Sequence, residues 1–319
     1  MNSNNAEHIP IVDLQDFISG DAPVKNAFVQ KLGDAFETIG FVAVRNHALD
    51  PEHEKKLYEE SKKFFSLPDY VKTKYEIEGL AGQRGYTSFG REHAKGRTEG
   101  DLKEFWHIGQ EVTDSDPIKS TYPDNIFPQE APDFTKTGIE VYKAMELTGK
   151  HMLRAIALYL GIDETYFDDK IYNGNSILRP IHYGPLSGNP KNAMRAAEHE
   201  DINLITLLMG ASAEGLEILN KRGEWVPVTA LAEQIVVNVG DMLQRLTNNK
   251  LRSSTHRVVN PSKEFWNISR YSIPFFLHPR PEMRLDCLEI CIDDKHPKSF
   301  EDISAGEYLS QRLREIGLK

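Results

Sequence analysis

Cysteine is almost absent from this chain: 319 residues hold two, Cys287 and Cys291, with three residues between them. So few sulfurs exclude a disulfide framework and a thiolate-rich zinc site, and they fit a reducing, cytoplasmic setting. Long apolar runs are missing too. None approaches the ~18 residues of a membrane helix, and the stretch from Met1 to Ile9 is polar where a signal peptide carries its apolar core. No membrane partner is expected. Positive charge is also scarce, with 38 Lys and Arg against 48 Asp and Glu for a formal net charge of −10, and no dense basic block occurs. That balance argues against a nucleic-acid partner and against a polymeric acid as substrate. Repeats and low-complexity tracts are lacking as well, while a hydrophobic content of 39% is enough for a substantial core.

The apolar residues are patterned differently in the two halves. Ile9 to Leu14 forms a short apolar run suited to a strand, and Val24, Phe28, Leu32, Ala35 and Phe36 then recur at helical spacing until Gly40. Phe41 to Val44 reads as a strand, and Asp50-Pro51 opens a helix whose buried face holds Leu57, Phe64 and Phe65. Val141, Met145, Met152, Ile156 and Leu160 mark the longest helix, running from Phe134 to its stop at Gly161. Beyond about residue 175 the texture changes to short β-rich runs: Ser176 to Tyr183, Leu204 to Met209, Ile235 to Val239 and Arg270 to Leu277. Gly240-Asp241 and Asn248-Asn249 read as turns, and a last helix is expected from Ala305 to Ile316. The expected fold is mainly β with flanking helices, built on a double-stranded β-helix (jelly roll) core of two packed sheets. The expected divisions are 1–174, a mixed helical and strand region packing on the core; 175–281, the jelly roll; and 282–319, a C-terminal extension with a helix. They form one catalytic unit.

His199-Glu200-Asp201 is the only H-x-D triplet among eleven histidines. Alternate side chains of a strand share a face, so His199 and Asp201 can turn toward one metal while Glu200 turns away. His256, at the head of Arg257-Val258-Val259, can supply a third ligand from a neighbouring strand. Two imidazoles and one carboxylate leave part of an ion's coordination sphere open, the arrangement of non-haem Fe(II) oxygenases. The bland alternative for His256 is a core imidazole bonded to a backbone carbonyl. Arg270 stands in an otherwise apolar run, where a buried cation requires an anion. An internal ion pair would satisfy it, but Ser272 on the same face favours a ligand carboxylate, held by a guanidinium fork and a hydroxyl. Tyr183 can add a phenolic hydrogen bond or simply pack, and Arg179 can face either the cavity or solvent.

Several segments carry a resemblance to a known family. These are Ile9 to Leu14, Gly40-Phe41-Val42-Ala43-Val44-Arg45-Asn46-His47, Phe64 to Pro68, and Arg84-Gly85-Tyr86 in the first half. In the second half they are Val237 to Leu243, Thr247-Asn248-Asn249, His256-Arg257-Val258 and Arg270-Tyr271-Ser272. Over nearly its whole length the chain resembles the isopenicillin N synthase-like group of iron(II)- and 2-oxoglutarate-dependent oxygenases. The resemblance implies an N-terminal region of the non-haem dioxygenase type over about 8–120. It implies Fe(II) held at a catalytic centre of His199, Asp201 and His256, with Arg270 and Ser272 on the distal carboxylate of 2-oxoglutarate and Tyr183 at its other end. Ile181 stands where many plant members carry Asn.

Dioxygen would take the remaining position on iron, and a C–H bond of a small molecule would be oxidised, most simply hydroxylated, with release of succinate and CO2. Asp201 argues against a halogenase, whose halide position usually comes from lacking this carboxylate. Substrate contacts are expected from Arg84, Tyr86, Phe105, Trp106 and Phe276, and Arg84 would suit an amino or organic acid. Two other readings stand beside this one: an Fe(II)/O2 oxidase of the same fold that does not use 2-oxoglutarate, and a metal-free jelly-roll binding module.

Overall fold

The computed structural model describes residues 9–80, 82–92, 100–186, 194–210, 215–228, 233–316 and 318. The chain opens with β1 (Ile11–Asp13), α1 (Leu14–Ile18), α2 (Ala22–Thr38) and β2 (Phe41–Arg45). Asp21 accepts from the backbone N–H of Val24 and Pro23 sits in the first turn of α2, so that helix begins where its free N–H groups are met. α3 (Pro51–Phe65) starts the same way behind Asp50. After α4 (Asp69–Lys72), β3 (Gly85–Thr87) and β4 (Glu104–Gly109) comes α5 (Pro132–Leu160), which Gly161 ends at φ 75°. The second half runs α6 (Asp168–Ile171), β5 (Ile177–Leu178), β6 (Ile181–Tyr183), β7 (Ala196–His199), β8 (Ile205–Leu208), β9 (Leu216–Leu219) and β10 (Trp225–Pro227). It closes with β11 (Ile235–Val239), α7 (Asp241–Leu246), β12 (His256–Val258), β13 (Arg270–Ser272), β14 (Pro274–Leu277) and α8 (Ala305–Glu315).

These strands form the two sheets of a jelly roll. A ten-stranded sheet has the order β1-β2-β11-β8-β14-β5-β4-β6-β13, with β3 beside β4, and a four-stranded sheet has the order β10-β9-β12-β7. The first half therefore contributes structure to the large sheet, with β1 and β2 at one edge and β3 and β4 toward the other. α5 lies against this sheet, where a Cβ on Gly138 would come 2.1 Å from Ile108 Cδ1 and one on Gly149 would come 2.3 Å from Leu277 Cδ1. Only glycine lets the helix approach so closely. Phe64, Trp106 and Phe134 join the main core beneath it.

Three local expectations change. Gly240-Asp241 opens α7 rather than a turn, because Gly240 donates to the Leu204 carbonyl and the following Met242, Leu243 and Leu246 are all buried. The run from Arg270 divides at Ile273: β13 pairs with β6, whereas β14 pairs with β8 and β5. The run ending at Tyr183 divides at Arg179-Pro180, since proline brings no N–H to a ladder. Among the described residues, no helix is long and apolar enough to cross a membrane.

Candidate active site

His199 ends β7 and stands opposite His256 in the antiparallel pair with β12. Their ring centroids are 4.4 Å apart. Asp201 lies past the strand end, not within it as simple alternation suggests, and its carbonyl accepts from Asp241 N–H at 2.7 Å. That anchor turns the carboxylate back toward the imidazoles, with Oδ1 3.9 Å from His199 Nε2 and 3.8 Å from His256 Nε2. One donor atom from each of the three residues lies within 4.8 Å of the others.

Hydrogen bonds decide which atoms remain free. Nδ1 of His199 bonds the Ala197 carbonyl at 2.7 Å and Nδ1 of His256 bonds the Ser254 carbonyl at 3.1 Å, so both Nε2 atoms keep their lone pairs. Oδ2 of Asp201 accepts from Thr206 Oγ1 at 2.6 Å and from Asn238 Nδ2 at 2.8 Å, which leaves Oδ1 for a metal. Glu200 turns aside and accepts from Thr255. Burial, reinforced by His256, pushes the His199 imidazole down to about 4. Burial pushes the Asp201 carboxyl up, but His256, His199, Asn238 and Thr206 outweigh it and hold the group below its usual range. A neutral His199 imidazole facing an ionised Asp201 carboxylate suits a metal site. The donor set fits Fe(II), with each ligand oriented by an outer hydrogen bond.

The three residues open onto a cavity of about 190 Å³. Tyr183, Arg270 and Ser272 line it, with Arg270 paired to Tyr183 and Ser272 to Ile181 across β13 and β6. Arg270 is 1% exposed, and its guanidinium lies 5.1 Å from the Tyr183 ring. Buried Arg195, which no sequence pattern marked, is close enough that Arg270, after burial itself, disfavours its charge. Arg195 does not line the cavity and donates to the Ile268 carbonyl at 2.8 Å, so Arg270 is the guanidinium of the pair that faces a ligand carboxylate.

Of the expected substrate contacts, Phe276 reaches the cavity. The others pack elsewhere. Arg84 is buried and bonds Gln110 Oε1 at 2.9 Å and the Gln83 carbonyl at 2.7 Å. Tyr86 donates to buried Glu104 at 2.5 Å. Trp106 is enclosed by Phe64 and Phe134, and Phe105 lies beneath the Arg179 guanidinium. Phe105 and Trp106 sit on β4, which is buried at every position, and neither lines the cavity, although His107 of the same strand does. The cavity wall is instead made by Glu92, Asp101, Lys103, His107 and Arg179. Sequence reasoning missed all of these except Arg179, because they follow no short motif and Glu92 and His107 meet Arg179 only across more than seventy residues of chain. From the C-terminal side, Leu309, Arg312 and Leu313 of α8 also reach the cavity.

Comparison with known proteins agrees with this geometry. Residues 9–130 match the family described as non-haem dioxygenase in morphine synthesis N-terminal, and residues 174–279 match the 2OG-Fe(II) oxygenase superfamily. The 2-oxoglutarate-Fe(II) type oxidoreductase hxnY of Emericella nidulans is 30% identical over 94% of this chain and 89% of its own length. The chain belongs to the 2-oxoglutarate- and Fe(II)-dependent oxygenases. Among solved structures, a 2OG-Fe(II) oxygenase family protein from Caulobacter crescentus superposes on this oxygenase with a TM-score of 0.85 at 40% identity, covering 96% of this chain and 98% of that one. A Neurospora crassa protein solved with alpha-ketoglutarate, which is 2-oxoglutarate, has a TM-score of 0.85 at 30% identity over 98% of both chains. The same protein has been solved with thymine and with 5-formyluracil. This oxygenase therefore uses Fe(II), 2-oxoglutarate and O2 to oxidise a small molecule.

Proposed function

We propose that this oxygenase hydroxylates a C–H bond of a small molecule, with His199, Asp201 and His256 as the iron ligands and Arg270, Ser272 and Tyr183 as the 2-oxoglutarate contacts. The observation that carries the assignment is the convergence of three lone pairs, each freed by a hydrogen bond to the opposite side of its own side chain. When bound, Fe(II) and 2-oxoglutarate supply the oxidation, in which one oxygen atom of O2 enters the substrate C–H bond and the other enters succinate as CO2 leaves. The protein's own residues bind and orient. Arg270 offers a buried, always charged fork to the distal carboxylate and Ser272 a hydroxyl beside it. Leu216 and Val258 make part of the surrounding wall apolar, which limits water near the reacting atoms.

The jelly roll over 175–281, the packing region over 1–174 and the extension over 282–319 are part of the same proposal, as is a cytoplasmic setting for the free thiols of Cys287 and Cys291. An amino or organic acid as substrate rested on Arg84, and the buried position of that side chain withdraws its support.

The test is succinate release with and without 2-oxoglutarate, combined with iron content after anaerobic loading of wild type and Asp201→Ala. Succinate that depends on 2-oxoglutarate, together with iron in wild type alone, is expected. Substrate oxidation without 2-oxoglutarate would make the chain an Fe(II)/O2 oxidase, and equally low iron in both proteins would favour a metal-free binding module.

A further inference from the structure

Beside the iron and 2-oxoglutarate residues, the cavity wall carries a second polar group whose charges cancel. Arg179 projects from the break between β5 and β6, its guanidinium 4.9 Å from the Phe276 ring and 4.4 Å from that of Phe105. Its Nε donates to His107 Nε2 at 2.5 Å and its Nη1 to Glu92 Oε1 at 3.2 Å. Nη2 makes no hydrogen bond with any described residue. Nδ1 of His107 donates to the Gly82 carbonyl, so Nε2 is an acceptor and the ring is neutral. Lys103 approaches the same Glu92 oxygen at 2.7 Å and pairs with Asp101 at 2.7 Å. Two cations thus meet two carboxylates around an uncharged imidazole.

Arg179 Nη2 as a donor and Glu92 Oε2 as an acceptor are among the groups that these contacts leave for a ligand. Glu92 is 8% exposed, and its Oε2 is buried without a hydrogen-bond partner. A buried carboxylate oxygen left alone destabilises the free protein. A ligand N–H would relieve it. A ligand carboxylate would not, because Glu92 already answers the Arg179 charge and would repel a second anion.

Resting on the reading of this cavity as the oxygenase active site, we infer that the prime substrate is an uncharged planar amide, lactam or imide. Its carbonyl accepts from Arg179 Nη2, its N–H donates to Glu92 Oε2, and Phe276 packs against its flat face. Arg179 and Glu92 are substrate-binding residues, and His107 is a positioning residue that holds the guanidinium.

The test uses the full chain loaded with Fe(II) and 2-oxoglutarate and measures substrate-stimulated succinate formation. The probes are thymine and glutarimide, their N-methylated derivatives, and a set of amino and dicarboxylic acids. Stimulation by an N–H imide, with kcat/KM lower by about tenfold or more after N-methylation, is expected. Glu92→Gln and Arg179→Lys should raise KM more than they lower kcat, and melting curves check that both variants fold. Stimulation by acids alone, or equal turnover of methylated and unmethylated imides, would overturn the inference. Direct binding of 2-oxoglutarate to the wild-type protein separates the two levels. Absent binding overturns the active-site reading as well, whereas normal binding with acids as the only stimulants overturns this inference alone.

Discussion

At the scale of single residues, the site depends as much on groups that never touch iron as on those assigned to it. Asn238 and Thr206 both donate to Oδ2 of Asp201, which lowers the carboxyl's proton affinity and aims Oδ1. Asn238→Ala should weaken Fe(II) binding by roughly 10–100-fold while the fold persists. A metal titration of the anaerobic apoprotein reads this, and wild-type affinity in the variant would contradict it. His107 carries a separate prediction about stability. Burial, helped by Arg179, holds its imidazole well below the value of 6.5 taken for an unfolded chain. Above about 6.5 the ring is neutral in both states. As pH falls, the unfolded chain takes up a proton that the folded one refuses, so this part of the stability is lost toward acid. Between about pH 7.5 and 5.5 wild type should lose about 1 kcal/mol more unfolding free energy than His107→Gln in urea melts. Parallel losses would show that His107 is not the titrating group.

At the scale of elements, the approach of α5 to the large sheet sets how the strands are held. Gly149 faces Leu277 of β14 and Leu207 of β8, both fully buried. Gly149→Leu should destabilise the protein by about 1–3 kcal/mol in chemical denaturation, because the added carbons enter a packed interface. No loss would mean that the helix can lift away at little cost. Elements of this kind were readable in the sequence where one periodicity ran unbroken. The spacing from Val141 to Leu160 with Gly161 after it, and the apolar run of β11, match the structure closely. β4 was not readable as a buried strand, because its Glu104 looks like a solvent-facing charge until Lys72, Tyr86 and His182 are seen to satisfy it. α7 was hidden by a Gly-Asp pair that serves equally well as a turn or as a helix start.

At the scale of the whole molecule, the two sheets bring together residues that local pattern marks only singly. The H-x-D triplet, His256 and the Arg270-Tyr271-Ser272 triplet were visible because a period of two and a familiar order mark them. Much of the remaining wall was not visible: Glu92, Lys103 and His107 join Arg179, which the sequence had left open between cavity and solvent, only when β4, β5 and β6 become neighbours. Arg84 shows the converse, a cation in a familiar motif whose charge is spent inside the protein on Gln110 and a carbonyl.

The central claim is that one cavity holds Fe(II) on His199, Asp201 and His256 and holds 2-oxoglutarate on Arg270 and Ser272. Anaerobic titration with both ligands, followed by the visible charge-transfer band of the Fe(II)–2-oxoglutarate chelate, tests it most directly. The band should form in wild type, fail at every concentration in Asp201→Ala, and need at least about tenfold more 2-oxoglutarate in Arg270→Ala with iron affinity unchanged. A band that is equal in all three proteins, or absent from wild type, would contradict the account.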